Sequence, residues 1–161
     1  MKTGTKTAVI LLIAVLAAAW LSSCGSSNDD YEGVVFDIQK TAVKLIGDLS
    51  FGDELVPLDE EAVSIKYNFG GAKTVVYAGS GATPEIVIAV ECLSRESAED
   101  VYEKIDAFIQ EQKKLFDGYN VNERPKLNEA LYDIFGNYVF CVVSADSAKN
   151  AEAIIKTLAV Q

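Results

Sequence analysis

Two apolar runs meet at a Gly-Asn pair within the segment Leu131 to Ala145. Gly136-Asn137 predicts a β-hairpin, because both residues tolerate the positive φ that a tight turn demands. A second strand pair is predicted upstream, where Thr74–Gly79 is followed by Glu85–Leu93 across a loop rich in small residues. The pattern therefore indicates a sheet built from two hairpins.

A helical pattern follows each strand pair. The first helix is predicted over Ser94–Tyr119 and the second begins after Ser147. One face of the first helix is formed by Ala98, Val101, Ile105, Phe108, Ile109, Gln112, Leu115 and Phe116, and the apolar side of the second by Ala148, Ala151, Ile154, Ile155 and Leu158. Two strands and a helix thus occur twice, either as a repeated unit or as a chance likeness of two amphipathic segments.

Two more helices are predicted ahead of the strands. Apolar residues recur at helical spacing through Tyr31–Leu49, and Asp59-Glu60-Glu61 is typical of a cap and acidic first turn. Asn122–Leu127 predicts a connecting turn or short helix. The predicted fold is α+β: two N-terminal helices, then a β-β-α-β-β-α pseudo-repeat that forms a four-stranded, mainly antiparallel sheet packed by helices.

The strands carry apolar side chains on both of their faces. The larger sets are expected under the helices, and they are Ile86, Ile88, Val90 and Cys92 with Tyr138, Phe140 and Val142. The second face would hold Val87, Ala89, Val139, Cys141 and Val143, covered by the N-terminal helices or free to dock a partner. Cys92 and Cys141 would then point to opposite faces, so we expect two buried free thiols and no disulfide. A one-residue slip in register would reverse that expectation.

The start of the chain has the pattern of an export signal. Lys2 and Lys6 precede the apolar run Ala8–Leu21, which is too short for a stable membrane span and ends at Ser22-Ser23-Cys24. Leu21-Ser22-Ser23-Cys24 resembles the lipobox of bacterial lipoproteins, which implies cleavage between Ser23 and Cys24 and acylation of Cys24. The alternative is an ordinary cleavable signal with a chance cysteine.

Lipidation predicts how the chain is organised and where it is located. Residues 1–23 would be a lipoprotein signal peptide, 24–30 a lipidated tether, and 31–161 a single α+β domain of unknown function. Each acyl methylene buried in a bilayer contributes about 0.8 kcal/mol, so several acyl chains on Cys24 would hold the protein on the membrane. We therefore expect a lipid-anchored protein on the extracytoplasmic face of the cell membrane.

The charge of the chain is strongly negative. The 161 residues carry a formal charge of −10, and removing Lys2 and Lys6 with residues 1–23 leaves 12 basic against 24 acidic residues, or −12. Such acidity argues against nucleic-acid binding, which depends on neutralising phosphates, and against adhesion to anionic lipid. A solvated surface that keeps the domain soluble explains the charge.

The sequence contains no histidine. This absence excludes the Ser-His-Asp and Cys-His arrangements of nucleophilic catalysis. It also excludes histidine as a general base, where it is the commonest residue, and as a zinc ligand. The acidic pairs, namely Asp29-Asp30, Glu60-Glu61 and those of Glu96–Asp100, lack calcium-loop spacing and are expected to be caps or solvated faces. Gly79-Ser80-Gly81 joins two strands, whereas phosphate-binding glycines precede a helix. We expect no catalytic residues, metal or cofactor.

Four tyrosines are candidates for a binding groove. Two interpretations are open for these residues, Tyr67, Tyr77, Tyr119 and Tyr132: they line a carbohydrate or peptide site together, or they lie separately at the edges of the core. Aromatic residues in strands and at helix ends more often lie at core edges than in a binding groove, and this is the interpretation we favour.

Several segments between Glu85 and Ile154 resemble a known family. They are Glu85-Ile86-Val87-Ile88, Gln112-Lys113-Lys114, Phe116-Asp117-Gly118-Tyr119, Gly136-Asn137-Tyr138-Val139 and Ser144-Ala145-Asp146. The family comprises small predicted lipoproteins of Gram-positive bacteria known only as a domain of unknown function, and the likeness extends from about Glu32 onward. Its usual aspartate pair after the last strand is here Asp146-Ser147. The resemblance implies location and domain identity but no activity, substrate or catalytic residue.

The leading hypothesis is a non-catalytic binding or accessory module of the cell envelope, anchored through Cys24, whose protein or small-molecule partner is unknown. One alternative is a thiol- or carboxylate-dependent envelope enzyme. Another is an assembly subunit that uses the second face of the sheet.

Overall fold

The computed structural model describes residues 31–160, and these form an antiparallel sheet with helices on both faces. The sheet has the strand order β1-β2-β3-β5-β4, and every neighbouring pair is antiparallel. The strands are β1 (Val56–Pro57), β2 (Lys73–Ala78), β3 (Ile86–Glu91), β4 (Leu131–Phe135) and β5 (Tyr138–Val143). The helices are α1 (Ile38–Asp48), α2 (Glu60–Lys66), α3 (Arg95–Tyr119), α4 (Arg124–Asn128) and α5 (Ala148–Thr157), with a 3₁₀ turn at Val121–Glu123.

The predicted fold is confirmed in class and wrong in strand number. Helices and two antiparallel hairpins are present as expected, but the sheet has five strands where four were predicted. The additional strand is β1, which lies between α1 and α2 and pairs with the end of β2. Its two residues are too few to show an alternating pattern, and Pro57 is a residue that strands disfavour.

The hairpin at Gly136-Asn137 is confirmed. Phe135 pairs with Tyr138, so the loop has two residues, and Gly136 alone of that pair has a positive φ, of 62°. Glycine at the first central position is the preference of a type II′ turn. A Cβ atom at Gly136 would also lie 2.6 Å from the carbonyl oxygen of Tyr31. Both the backbone conformation and the close approach of Tyr31 therefore require glycine.

The predicted assignment of side chains to the two faces is wrong for β5. Ile88 pairs directly with Cys141, and residues directly opposite each other in an antiparallel pair lie on the same face. The first face therefore holds Ile86, Ile88, Val90, Val139, Cys141 and Val143, and the second face holds Val87, Ala89, Tyr138, Phe140 and Val142. Both strands are apolar on both sides, so side-chain size could not distinguish their faces.

Each face of the sheet has its own pair of helices. Side chains of α2 and α3 pack on the first face, and those of α1 and α5 pack on the second. The expectation that an N-terminal helix covers Val87 and Ala89 is confirmed for α1. Since both faces are buried, neither is an exposed docking surface. If the two strand-strand-helix units were related by a two-fold axis, α3 and α5 would lie on the same face of the sheet. They lie on opposite faces, so the predicted repeat holds only in the order of its elements.

Helix α1 is shorter than predicted. It begins at Ile38 and not at Tyr31, because the Asp37 side chain caps it by accepting the Lys40 N–H at 3.0 Å. Val35, predicted to be helical, forms a bridge with Val160.

The other predicted helices agree more closely with the structure. Asp59 caps α2, Ser94 caps α3, and the connection before β4 is helical. Leu115 was assigned to the apolar face of α3 but is 56% exposed. No helix within residues 31–160 combines the length and apolarity that crossing a bilayer requires.

Candidate functional site

Polar groups concentrate at one end of the sheet, which we call the loop end. It is the end where Ile86 pairs with Val143, and the loops 49–54, 79–85 and 144–147 meet there with α4. The opposite end, where Glu91 pairs with Tyr138 and the Gly136-Asn137 turn lies, we call the turn end. Since the loops at the loop end come from distant parts of the chain, the contacts between them fix the arrangement of the domain.

Glu85 is the central residue of the loop end. It directly precedes β3 and is 2% exposed. Its carboxylate accepts the Gly52 N–H on both oxygens at 2.9 and 2.8 Å, and Oε2 accepts the Asp53 N–H at 2.9 Å. Thr83 Oγ1 donates to the same oxygen at 3.2 Å. The carboxylate is thus surrounded by donors from the protein itself.

Lys126 supplies the countercharge. Its Nζ lies 2.8 Å from Glu85 Oε1 and 2.7 Å from Glu123 Oε2, so one ammonium joins two carboxylates. Burial alone would raise the pKa of Glu85, but hydrogen bonds from Lys126, Gly52 and Asp53 outweigh burial and hold that pKa below its usual value. Burial likewise opposes the charge of Lys126, and the two carboxylates raise its pKa overall. The group stays ionised and fully engaged at neutral pH, which suits a structural clamp better than proton transfer.

Two further carboxylates fasten the same loop. Asp53 accepts the N–H and the hydroxyl of Ser80 at 2.7 and 2.6 Å, and Asp146 accepts the Ser50 N–H at 2.7 Å. Hydrogen bonds from Ser80 lower the pKa of Asp53, and the hydrogen bond from the Ser50 backbone lowers that of Asp146. Loop 49–54 is therefore held by carboxylates from both neighbouring loops and by its own Asp53.

Sequence reasoning missed this clamp. Glu85 was assigned only to the start of a strand, and Lys126 only to a connecting turn. Their one visible signal is a charged residue directly ahead of an apolar strand, which many solvated strand ends share. Only the three-dimensional arrangement of β3 and α4 brings the two residues together.

A surface groove lies between α2 and the first residues of β2. It has a volume of about 340 Å³, within the range of small-molecule sites, and is open to solvent. Its lining is mixed: Glu60, Val63, Ser64, Asn68, Phe69, Gly71, Ala72, Lys73 and Thr74. Lys104 donates to the Asn68 carbonyl at 2.7 Å, and Lys73 pairs with Glu91 at 3.0 Å. The groove offers hydroxyl and amide groups beside an apolar wall.

Cys92 and Cys141 are buried and free, as predicted, but the predicted reason, that they point to opposite faces of the sheet, is wrong. Cys92 and Cys141 share the first face, since both belong to the core beneath α3. Cys141 lies opposite Ile88, four positions before Cys92, which separates the thiols by about 13 Å along the strands. Burial raises the pKa of Cys92 to about 11 and that of Cys141 to about 12. Both thiols remain protonated at neutral pH and are poor nucleophiles.

The four candidate tyrosines do not share a groove. Tyr67 is 8% exposed and stacks on Phe69 in the core beneath α3, whereas Tyr77 packs on the α1 side and accepts a hydrogen bond from Gln39 at 2.6 Å. Tyr119 is exposed at the end of α3, and Tyr132 contacts Tyr102. Their positions at separate edges of the core agree with the interpretation favoured from the sequence.

The remaining predicted sites fall into two groups. Glu60 and Glu61 lie in the first turn of α2, and Glu96 in that of α3, where carboxylates favour a helix N-terminus. Ser23, Cys24 and Asp29-Asp30 lie outside the described residues. Within residues 31–160, no three carboxylate or cysteine side chains are grouped so that they could hold a metal ion.

A domain of unknown function, DUF4358, is found at residues 72–144. This stretch runs from β2 to the end of β5 and includes the long helix α3 and the Gly136-Asn137 turn, while α1, α2 and α5 lie outside it. The expectation of a domain of unknown function is thereby confirmed, over a shorter stretch than expected. Comparisons with curated proteins and with solved structures gave no significant match.

Proposed function

We propose that the protein is a lipoprotein anchored through acylated Cys24 to the extracytoplasmic face of the cell membrane, where its domain serves as a non-catalytic binding or accessory module. The observation that carries this proposal is the order of residues at the start of the chain. Two lysines, an apolar run, Leu21-Ser22-Ser23-Cys24 and a short polar tether follow one another as in bacterial lipoproteins.

Three properties of the domain support a non-catalytic role. The chain has no histidine, both described thiols are buried and protonated, and the ionised groups of the loop end are bound to one another. A general base or nucleophile must reach a substrate with a free lone pair. Glu85 fails that requirement, because its side chain is fully buried and accepts bonds from Lys126 and from loop 49–54.

The groove between α2 and β2 supports the binding half of the proposal. Ser64 is exposed in the groove, and the groove's size fits a small molecule or a short segment of a partner. The charge of −12 on residues 24–161 favours a ligand or partner that is neutral or cationic over one that is anionic.

Substitution of Cys24 by alanine tests the anchor. We expect the wild-type protein to sediment with membranes and to incorporate labelled fatty acid, and the Cys24→Ala variant to lose both properties. Cys92→Ala is the matched control, since it removes a buried thiol and leaves the anchor intact. If Cys24→Ala remained with the membrane as the wild type does, the lipoprotein assignment would fail.

Photo-crosslinking in intact cells tests the groove. A photoreactive amino acid at Ser64 should give an adduct that the same group at Glu103, on the exposed side of α3, does not give. Equal patterns from the two positions, or none from Ser64, would contradict a role for the groove in binding.

A further inference from the structure

The described chain begins at the turn end of the domain. The carbonyl oxygen of Tyr31 lies against Gly136, and the Tyr31 ring is 5.1 Å from that of Phe135. Residues 24–30 are joined to the domain through Tyr31, at this end. Even fully extended, seven residues reach about 25 Å at most. An acylated Cys24 would keep the turn end within that distance of a bilayer.

Exposed apolar side chains are present at the same end. Leu93 is 98% exposed, the highest value among the large apolar residues of the described range 31–160. It follows Cys92, whose N–H donates to the Asn137 carbonyl of the turn. Val35 and Val160, which bridge each other, are 58% and 63% exposed. Their neighbour Phe36 packs on Tyr138, which places the bridge near the turn as well.

The exposure of Leu93 is unusual for its position in the chain. It precedes Ser94, the cap of α3, and a leucine there commonly folds back onto the residue four positions after the cap. That residue is Ala98, which is fully buried beneath the helix. The Leu93 side chain makes no such staple and extends into solvent, so it would gain hydrophobic free energy on entering an apolar medium.

The charges around Leu93 do not oppose contact with a membrane. Lys73 pairs with Glu91, and Arg95 pairs with Glu99, so these side chains cancel in pairs. Glu96 in the first turn of α3, Glu32 beside Tyr31 and Asp29-Asp30 in the tether leave a net negative charge. Such a surface suits uncharged or zwitterionic headgroups better than anionic ones.

From this geometry we infer that the turn end rests on the lipid bilayer and that Leu93 enters its interfacial layer as a second contact beside the acyl chains. This inference rests on the proposed lipid anchor. The loop end and its carboxylate clamp then face the aqueous space, about 20 Å or more from the bilayer, since β3 alone has six residues.

Tryptophan quenching tests this orientation. Trp20 is the only tryptophan of the sequence and precedes Cys24, so a mature chain that begins at Cys24 contains none. The full-length gene would carry Leu93→Trp, and the acylated protein would be reconstituted in phosphatidylcholine vesicles whose acyl chains are brominated. Leu115→Trp is the matched control, because Leu115 is also exposed and lies near the loop-end terminus of α3.

We expect brominated lipid to quench the Leu93→Trp variant several-fold more strongly than the Leu115→Trp variant. Equal quenching, or stronger quenching of the control, would overturn the inference. Co-flotation of each variant with the vesicles distinguishes the lipid anchor from the orientation. Failure to float contradicts the lipid anchor. Flotation without selective quenching contradicts only the orientation. Circular dichroism of both variants verifies that they are folded.

Discussion

Removing the carboxylate of Glu85 should destabilise the domain far more than removing that of Glu91. Glu85 directly precedes β3 and Glu91 is its last residue, and both pair with a lysine, at 2.8 Å from Lys126 and 3.0 Å from Lys73. The Glu85 side chain is fully buried, whereas that of Glu91 is 38% exposed. Glu85→Ala and Glu91→Ala therefore delete similar ion pairs in opposite environments.

The expected magnitudes follow from burial. Removing one partner of a buried ion pair costs about 3–5 kcal/mol, and an unsatisfied buried N–H costs about 1–3 kcal/mol. Lys126 is 20% exposed and would keep Glu123, so we expect the low end of that range, about 3 kcal/mol, for Glu85→Ala. An exposed pair contributes about 0–1 kcal/mol, which is the loss expected for Glu91→Ala.

Equilibrium urea unfolding of the chain from residue 25 onward, followed by far-UV circular dichroism, measures both losses. The midpoint should fall strongly for Glu85→Ala and slightly for Glu91→Ala, with similar slopes. Losses for the two variants that agree within experimental error would refute the assignment of Glu85 as a buried clamp.

The dependence of stability on pH supplies a second measurement on the same residue. The pKa of Glu85 is lowered in the folded state, so its contribution is present above the unfolded value of about 4.3 and is lost as pH falls through the lower folded value. The decline of unfolding free energy at acidic pH should therefore be shallower for Glu85→Gln than for the wild type. Asp53 and Asp146 are present in both proteins, so the difference between the two curves of unfolding free energy against pH is due to Glu85. Parallel curves would contradict a lowered pKa for Glu85.

Gly136→Ala should destabilise the fold by about 1–3 kcal/mol or more, because it combines a positive φ with a contact of 2.6 Å to Tyr31. Gly118→Ala, within α3 and with open space around it, should be neutral or stabilising by up to about 1 kcal/mol; thermal melts giving the two variants the same stability would contradict this account. Cys92 and Cys141 should resist a thiol reagent in the folded state and react once urea unfolds the domain, since both are buried. Fast labelling of the folded protein, or a disulfide in its mass spectrum, would contradict the assignment of both residues as buried free thiols.

Local signals in the sequence predicted much of the architecture. The Gly136-Asn137 turn, the cap Asp59 and the extent of α3 each depend on residues a few positions apart, and each is confirmed. In these places residues close together in the sequence are sufficient to determine the local structure. The start of α1 is the exception, because the cap residue Asp37 follows apolar residues that continue the helical spacing.

Features that depend on distant pairing could not be predicted. The faces of β5 follow from its register with β3, and both strands are apolar on both sides, so nothing local selects that register. The clamp between Glu85 and Lys126 has the same origin, because loop 79–85 and α4 are far apart in the sequence and lie together only in the folded structure. The groove at Ser64 likewise depends on how α2 packs beside β2.

The intact mass of the protein extracted from membranes tests whether Cys24 is the lipid anchor. We expect a chain of residues 24–161 that carries glyceryl-linked and further acyl chains, with the added mass on the peptide that begins at Cys24. An unprocessed chain, or a mature chain whose Cys24 is unmodified, would contradict it.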